Sequence, residues 1–293
     1  MTAPTDRDTL RLVDTFRNLF YTPVYVAVGG GFLHQQGLDV HFSTAPSDAV
    51  SIDLLKQGVA DILQSGLSRS FMDLDEGNED APLHIAETNQ RDGFFLISRE
   101  PTPGWSWKDM EDSTLIPVGF TPVPWATLRY AMRSQGVDVD RVRLIEGLPA
   151  EQALDRFRGG EADYIQMVNP FAQQLIDEGS GHLAAGVGPV LGYVCYSSLA
   201  VSPAFLDARP DTVRRFVRGF YAAQKWLAAA DHEAVAEMVA LFFPTVSRET
   251  LQRSIQRYKA QQTWAEDPLI GEDGFTAIAL MYALRWDDAG RLG

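Results

Sequence analysis

Short apolar runs, each closed by a Gly or polar turn, divide the first hundred residues into predicted strands and helices. Residues 9–14 alternate in the manner of a half-buried strand, and residues 38–42 form a second run of this kind. Between the strands, residues 49–57 have helical spacing and stop at Gly58. Because strands and helices continue to alternate, this region is predicted to be an α/β lobe with a mainly parallel sheet. Its further strands are predicted at 59–63, 84–88 and 93–98, and a helix is predicted to follow Ser68.

The same alternation starts again near Thr114 and predicts a second α/β region. Its predicted strands are 114–120, 142–145 and 162–166, and its predicted helices are 125–135, 150–158 and 171–178. A strand over residues 193–201 follows, and the rest of the chain is predicted to be almost wholly helical, over 210–230, 232–243, 248–262 and 275–289.

Two segments of the chain share one plan. In residues 54–62 and again in residues 154–165, a helix end is followed by a Gly turn and then by a small residue, an Asp and an apolar residue that enter a strand. We therefore expect two lobes that are built alike, with a cleft between them. No low-complexity segment or long linker occurs, so extended crossings are expected to join the lobes.

Composition places the chain among globular proteins and excludes several classes of partner. Its 293 residues are 45% hydrophobic and 22% charged, which is typical of a folded chain long enough for two lobes. There are 25 Lys plus Arg against 39 Asp plus Glu, so the formal net charge is −14, and the pI is ≈ 4.7. A surface this acidic repels phosphate backbones and anionic membranes, so we expect no nucleic-acid partner.

The single cysteine, Cys195, excludes an intrachain disulfide and a thiolate metal cluster. The longest apolar runs fall far short of the roughly 20 residues of a membrane-spanning helix, so no direct membrane insertion is expected. Residues 1–8 contain neither the basic region nor the apolar stretch of a secretory signal. The sequence as written therefore predicts a cytoplasmic protein, or a periplasmic or cell-surface one if a leader was removed.

Several motifs resemble, in their order and spacing, the substrate-binding proteins of ABC importers. The family in question contains binders of thiamine-pyrimidine precursors, riboflavin, taurine and aliphatic sulfonates. The aromatic–Pro segment of residues 20–27 leads into Gly31-Phe32-Leu33 and Gly37-Leu38-Asp39-Val40, which look like the opening signature of that family. Similar motifs follow at residues 58–62 (Gly-Val-Ala-Asp-Ile), 202–216 and 258–268. The resemblance extends over nearly the whole chain.

This resemblance implies an α/β fold of the periplasmic-binding-protein type, with two lobes, two hinge crossings and a helical C-terminal region. Lobe I would comprise residues 1–97 plus 194–293, and lobe II residues 98–193. It also implies a small-molecule ligand held between lobes that close by hinge motion, and an ABC permease as a partner if the protein is exported.

Ligands of open α/β sheets bind beyond the carboxyl ends of the strands, at helix N-termini. This rule selects four loops, which are residues 15–21, 64–69, 120–125 and 166–171. Polar or aromatic side chains in these loops, at the end of strand 84–88 and on the return crossing are the candidate ligand contacts. They are Asn18, Tyr21, Ser65, Arg69, Asn89, Thr121, Trp125, Gln166, Asn169, Tyr193 and Cys195.

Structural alternatives exist for several of these candidates. Asn18 and Asn169 can cap helices, since both stand where a helix is predicted to begin. Arg69 can pair with an acidic neighbour in this acid-rich chain, and Trp125 can belong to the core. Cys195 lies in a predicted strand, where a lone cysteine is usually packed and inert.

Enzymes also occur on this fold, but the chain lacks their motifs. The five histidines have no metal-ligand spacing, and neither a Gly-x-Ser-x-Gly elbow nor a phosphate-binding loop occurs, so no cofactor, metal or catalytic residue is predicted. Related pyrimidine synthases carry a cysteine-rich return crossing, and related desulfinases a nucleophilic cysteine in the first loop. This chain has Cys195 alone in the former and Arg-Asn-Leu-Phe at 17–20 in the latter. The primary hypothesis is a non-catalytic binding protein for a small polar aromatic or heterocyclic solute. The alternative is a cytosolic enzyme, of desulfinase, decarboxylase or pyrimidine-synthase type, acting on a small aromatic acid or heterocycle.

Overall fold

The computed structural model describes residues 7–47, 50–119 and 121–289. The chain divides into two compact units: unit 1 contains residues 1–90 and 194–278, and unit 2 contains residues 91–193 and 279–293. Each unit has its own five-stranded sheet. The strands are β1 (Asp8–Asp14), β2 (Leu38–Thr44), β3 (Ile62–Ser65), β4 (Leu83–Asn89), β5 (Phe94–Ser98), β6 (Thr114–Ile116), β7 (Arg143–Leu144), β8 (Tyr164–Val168), β9 (His182–Gly186) and β10 (Ser197–Val201).

Helices cover the strands and dominate the C-terminal part of the described chain. They are α1 (Thr22–Gly29), α2 (Ser51–Lys56), α3 (Leu67–Asp75), α4 (Pro122–Ser134), α5 (Ala150–Arg158), α6 (Phe171–Asp177), α7 (Gly188–Leu191), α8 (Pro203–Ala208), α9 (Pro210–Ala229), α10 (His232–Val239), α11 (Arg248–Ala260) and α12 (Glu272–Ala289).

The sheet of unit 1 has the order β2-β1-β3-β10-β4. β1 runs parallel to β2 and β3, while β10 is antiparallel to both β3 and β4. β1, β3 and β4 therefore point the same way and end at one edge of the sheet. Leu10 and Leu12 of β1 and Ile62 and Leu63 of β3 are completely buried and form the centre of this core. α1 packs against the long α9, whose apolar stripe includes the buried Phe216 and Phe220.

The sheet of unit 2 has the order β7-β6-β8-β5-β9. β6 is parallel to β7 and β8, and β5 is antiparallel to β8 and β9. All five residues of β5 and all five of β8 are buried, and apart from Ser98 and Gln166 these residues are apolar or aromatic, as expected of central strands. The carboxyl ends of β6 and β8 share one edge, from which α4 and α6 begin.

The structure corrects the predicted first lobe boundary. The boundary after residue 97 places nearly all of the predicted strand 93–98 in lobe I, whereas β5 pairs with β8 and β9 and so belongs to unit 2. The first crossing accordingly lies at residues 90 and 91. A buried apolar strand has the same sequence pattern in either sheet, so the sequence could not show which of the two sheets contains β5.

Several element bounds also differ from the sequence prediction. The strand predicted over 193–201 is confined to Ser197–Val201, and β9 was not predicted at all. Its sequence, His-Leu-Ala-Ala-Gly, is half-buried throughout and lacks both the alternation and the β-branched residues of a strong strand signal. Residue 49, the predicted start of a helix, and residue 120, in a predicted ligand loop, lie outside the described residues.

Candidate functional site

The carboxyl edge of the unit 1 sheet brings together polar side chains from several strand ends. β1 ends at Asp14, β3 at Ser65 and β4 at Asn89. Asp14 and Gln64 are ladder partners on adjacent parallel strands. The Thr15 hydroxyl donates to the carbonyl oxygen of Gln64 at 2.7 Å, which ties the first ligand loop to the end of β3.

Asn18 holds the first loop in place. It precedes the 3-10 helix Leu19–Tyr21, and its Oδ1 accepts a hydrogen bond from the backbone N–H of Phe20 at 2.8 Å. Its Nδ2 donates to the carbonyl oxygen of Phe16 at 3.2 Å, and the side chain is completely buried. The capping role that was an alternative for Asn18 is therefore realised, and both ends of its amide are bonded to protein atoms.

Asn89 has a similar positioning role at the end of β4. Its Nδ2 donates to the carbonyl oxygen of Phe20 at 2.7 Å, and its Oδ1 accepts from the hydroxyl of Ser197. The indole Nε1 of Trp264 donates to the same Phe20 oxygen at 2.9 Å. Loop 15–21 is thus anchored by two side chains that are distant in sequence. No pattern around Trp264 could have identified it, since it lies in an irregular segment that pairs with β4 only in the fold.

Tyr21, Gln64 and Arg69 form the most distinctive polar cluster of this edge, here called the β3-end cluster. Burial raises the pKa of the Tyr21 phenol, and the adjacent Gln64 amide and Arg69 guanidinium oppose that rise. Burial also lowers the pKa of Arg69, against the stabilising charge of an ionised Tyr21. The cluster therefore contains a positive charge in partly desolvated surroundings, where it attracts an anion more strongly than in water.

The Gln64 amide is the group that the sequence reasoning missed. The side chain is completely buried, and neither its Oε1 nor its Nε2 has a hydrogen-bond partner among the described residues. The Tyr21 hydroxyl approaches this amide closely enough for a weak hydrogen-bonding interaction that lowers the pKa of Tyr21, but not in the geometry of a full hydrogen bond. Because buried amides in folded proteins are nearly always paired, this amide fits a position that a ligand or solvent completes.

α3 begins directly beside the β3-end cluster. Its N-cap residue is Gly66, which supplies no side chain to the first backbone N–H groups. The hydroxyl of the neighbouring Ser65 makes only a long contact, 3.4 Å, to the carbonyl oxygen of Gly66, so it has capacity for a further partner. A helix N-terminus without a side-chain cap attracts acceptor or anionic groups.

Asp14 is a buried carboxylate that supports the same edge. Its Oδ2 accepts from the Tyr25 hydroxyl and from Nε of Arg17, both at 3.0 Å. Burial raises the pKa of Asp14, while the Arg17 guanidinium opposes this shift. Arg17 also stacks over the ring of Phe42 at 4.6 Å, so its charge is committed to this local network.

Cys195 is completely buried in unit 1. Burial raises the pKa of its thiol, and the neighbouring Glu87 carboxylate raises it further. A thiol in these surroundings is neither a nucleophile nor a convenient ligand contact. The surroundings of Cys195 agree with the structural alternative, a cysteine that is packed in the core and chemically inert.

Thr121 and Trp125 lie at the start of α4 in unit 2. Thr121 is the N-cap residue, its side chain makes no capping hydrogen bond, and Pro residues occupy the first turn. Trp125 is half-buried, and the guanidinium of Arg129 lies 5.5 Å from the centre of its ring. Both side chains retain surface that a ligand could contact, unlike Asn18 and Asn89.

Gln166 is the middle residue of β8 and Asn169 follows the end of that strand, and both are completely buried. Gln166 accepts from the backbone N–H of Val118 at 3.2 Å and donates to the carbonyl oxygen of Pro124 at 2.7 Å. Asn169 accepts from the backbone N–H of Gln173 at 3.1 Å, in the first turn of α6. Both amides therefore position the loops at this edge. Tyr193, the last candidate of unit 2, is 38% exposed.

Two classes of site are not represented in the part of the chain that the structure describes. No group of three His, Cys, Asp or Glu side chains is arranged to hold a metal ion there. Within the same residues, none of the helices combines the length and apolar character required to cross a membrane.

Comparison with known proteins decides the family. The sequence pattern of the NMT1-like family matches residues 12–242. The chain belongs to the NMT1-like family. Among curated relatives of this NMT1-like protein is the putative binding protein YtlA of Bacillus subtilis (strain 168). The two sequences are 27% identical over 265 residues, which cover 90% of this chain and 79% of YtlA.

Solved structures show the fold of this NMT1-like protein. The periplasmic aliphatic sulphonate binding protein SsuA of Escherichia coli has a TM-score of 0.77 at 12% identity, with 97% of this chain and 88% of that chain covered. The alkanesulfonate-binding protein SsuA of Xanthomonas axonopodis pv. citri, bound to MOPS, has a TM-score of 0.73 at 16% identity, with 96% and 94% covered. The predicted periplasmic-binding-protein fold is therefore confirmed.

Proposed function

We propose that this protein is a substrate-binding protein that captures a small polar aromatic or heterocyclic solute and hands it to an ABC permease. The observation that carries the proposal is the β3-end cluster, where a buried Gln64 amide without a hydrogen-bond partner among the described residues adjoins Arg69 and Tyr21. Convergent, incompletely paired polar groups at a strand end are what a ligand-binding protein needs and what a purely structural core avoids.

The chemistry of the cluster narrows the ligand. Arg69 and the uncapped N-terminus of α3 favour a ligand with an acidic or strongly accepting group. Tyr21 supplies an aromatic face, and Trp125 and Tyr193 of unit 2 supply others. A sulfonate-like or thiamine-pyrimidine-precursor-like solute fits these groups, and the names of the two sulfonate-binding structures support the first class.

Within this proposal, seven side chains contact the ligand. They are Tyr21, Gln64, Ser65, Arg69, Thr121, Trp125 and Tyr193. Four buried amide side chains position the loops through their hydrogen bonds to the backbone, namely those of Asn18, Asn89, Gln166 and Asn169. Cys195 stays in the core. Delivery to a permease also requires a periplasmic or cell-surface location.

Titration calorimetry with a panel of solutes tests the proposal. The panel contains aliphatic and aromatic sulfonates, aminopyrimidines, flavins and amino acids. We expect one member class to bind at a single site, with mass spectrometry of the mixture showing the solute unchanged. No binding across the panel would count against a solute-binding role, and a new product mass would favour the alternative of an enzyme.

A further inference from the structure

A separate pocket of about 340 Å³ lies in unit 2, away from the strand ends described above. It is lined by the end of β5, the start of β8 and the segment that precedes β6, with Arg99, Trp105, Asp109, Asp163 and Tyr164 among its walls. β8 begins at Tyr164 and reaches Asn169 only beyond its opposite end. The pocket is therefore at the edge of the sheet opposite to Gln166 and Asn169.

Most of the side-chain hydrogen-bond donors of this pocket are bonded to protein acceptors. Two of its lining residues, at positions 101 and 103, are prolines and have no backbone N–H. Three hydroxyls of the lining donate to backbone carbonyl oxygens: Ser98 to Glu100 at 2.5 Å, Thr102 to Leu183 at 3.2 Å and Ser113 to Met110 at 2.6 Å. The indole Nε1 of Trp105 donates to the Tyr164 hydroxyl at 3.1 Å. A ligand of this pocket must therefore bring its own donors.

Arg99, the cation of the lining, bonds to backbone carbonyls. Its Nε donates to the carbonyl of Ala162 at 3.0 Å, and its Nη2 donates to the carbonyls of Ala162 and Phe157. The guanidinium also lies over the Phe157 ring, 4.8 Å from its centre. Arg99 thereby closes the C-terminal end of α5, and its ion-pairing capacity is largely spent on backbone oxygens.

Three acidic residues, Glu100, Asp109 and Asp163, line the same pocket. None of them forms a salt bridge with another described residue. Asp163 Oδ2 accepts from the backbone N–H of Thr114 and Asp109 Oδ2 from that of Ser106, both at 2.7 Å, which leaves one oxygen of each carboxylate available. Against a single guanidinium, three carboxylates give the lining a net charge of −2.

Two aromatic rings complete the pocket. The centres of the Trp105 and Tyr164 rings are 6.5 Å apart, and Tyr164 is 92% buried, with 8% exposed. Burial raises the pKa of the Tyr164 phenol, the hydrogen bond with Trp105 opposes this rise, and the carboxylates of Asp109 and Asp163 add to it. Aromatic faces beside carboxylates are the surroundings that stabilise an organic cation.

We propose that this pocket, the Trp105 pocket, binds a small organic cation whose ammonium or guanidinium group donates to Asp109 and Asp163 while its apolar part lies against Trp105 and Tyr164. The pocket volume lies at the lower end of the range of small-molecule sites, so the ligand is the size of an aromatic or alkyl amine. The site is independent of the solute proposed above.

Nuclear magnetic resonance titration tests this site with benzylammonium, its neutral counterpart benzyl alcohol and its anionic counterpart benzoate. We expect benzylammonium to shift the indole N–H resonance of Trp105 saturably, and the other two probes to leave it unchanged. Asp163→Asn keeps an acceptor for the Thr114 N–H but removes the charge, and should weaken benzylammonium binding about threefold or more. Asp109→Asn combined with Asp163→Asn should abolish it.

Two matched variants distinguish this pocket from other acidic surface and from the solute site. Glu151→Gln removes an exposed carboxylate of the same unit outside the pocket and should leave benzylammonium binding unchanged, as should Arg69→Gln in unit 1. Equal shifts by benzyl alcohol, or equal affinity of the wild type and the folded Asp163→Asn variant, would overturn the proposal. Absence of any shift at Trp105 would overturn it as well.

Discussion

Asp14 and Gln64 are ladder partners at the ends of adjacent parallel strands, and both side chains are completely buried. Oδ1 of Asp14 and both amide atoms of Gln64 have no hydrogen-bond partner among the described residues. A buried, unsatisfied polar group costs about 1–3 kcal/mol of stability. Polar groups at this edge would lower the stability of unit 1 if nothing completed their hydrogen bonds, as expected of groups retained for binding.

Replacement of Gln64 by Leu should separate stability from binding. Because the amide has no hydrogen-bond partner in the described part of the chain, the free energy of unfolding of Gln64→Leu should equal or exceed that of the wild type. Solute affinity should fall about tenfold or more, since the ligand loses its hydrogen bonds to the amide. Urea unfolding and titration calorimetry measure the two effects.

Gln224→Leu is the matched contrast. Gln224 is also buried in unit 1, but its Nε2 donates to the carbonyls of Glu87, Ala265 and Asp267 at 2.9, 3.1 and 3.1 Å. We expect this variant to lose about 1–3 kcal/mol of unfolding free energy. Equal destabilisation of Gln64→Leu and Gln224→Leu would show that the Gln64 amide has a structural partner and would contradict its proposed role.

Arg69→Gln should weaken binding of an acidic solute without unfolding the protein. A hydrogen bond to a charged group contributes about 1.5–3 kcal/mol, so the affinity should fall about tenfold to a hundredfold. The measurement is calorimetric titration of both proteins with the solute identified in the panel. Arg218→Gln, which changes an exposed Arg of α9 in the same unit, should bind as the wild type does. If Arg69→Gln bound the solute with the affinity of the wild type, Arg69 would not be a ligand contact.

Cys195 should be chemically silent in the folded protein. Its thiol is buried and its pKa is raised by burial and by Glu87, so the thiolate is scarce at neutral pH. A thiol-reactive chromogenic disulfide should label no cysteine in buffer and one per chain in denaturant. Cys195→Ala should retain the solute affinity of the wild type. Rapid labelling of the native protein, or solute turnover lost in Cys195→Ala, would support the alternative of an enzyme.

His84 should make unit 1 less stable at mildly acidic pH. Its Nε2 lies 2.7 Å from the Ser70 hydroxyl and its Nδ1 lies 2.5 Å from the Ser198 hydroxyl, and burial lowers its pKa from 6.5 to about 4. Between these pKa values the unfolded chain binds more protons, so the free energy of unfolding falls as pH falls from 6.5 to about 4. The loss is at most about 3 kcal/mol, and less in practice because the side chain retains some exposed surface.

Urea unfolding of the wild type and of His84→Gln at about pH 7 and about pH 4.5 measures this loss. The stability of the wild type should fall more between the two conditions than that of the variant, which has no titrating ring at this position. Parallel changes in the two proteins would show that His84 does not titrate in this range.

Much of the architecture could be predicted from periodicity and glycine positions. The repeated helix–Gly–Asp–strand plan marked β3 and β8 correctly, because both strands follow a helix that ends in a Gly turn. The assignment of β5 to a sheet failed, since its five buried residues fit any central strand. β9 was missed for the opposite reason, because its small residues carry no pattern.

The candidate site was predictable at the level of loops and less so at the level of side chains. The rule for strand carboxyl ends selected the segments that contain Tyr21 and Arg69. It could not distinguish an amide that faces a ligand from one that bonds the backbone, as Asn18 and Gln166 do, because this depends on atoms distant in sequence. Gln64 was overlooked because a Gln at the end of an apolar strand looks like a boundary residue.

Native mass spectrometry of the protein, purified from its own host without denaturation, tests the central claim most directly. We predict a complex of one chain with one small polar solute in the wild type and in Cys195→Ala, and loss of that solute in Gln64→Leu and Arg69→Gln. A wild type that carries no solute and acquires none from host metabolite extract would contradict the account. So would a solute retained equally by all four proteins.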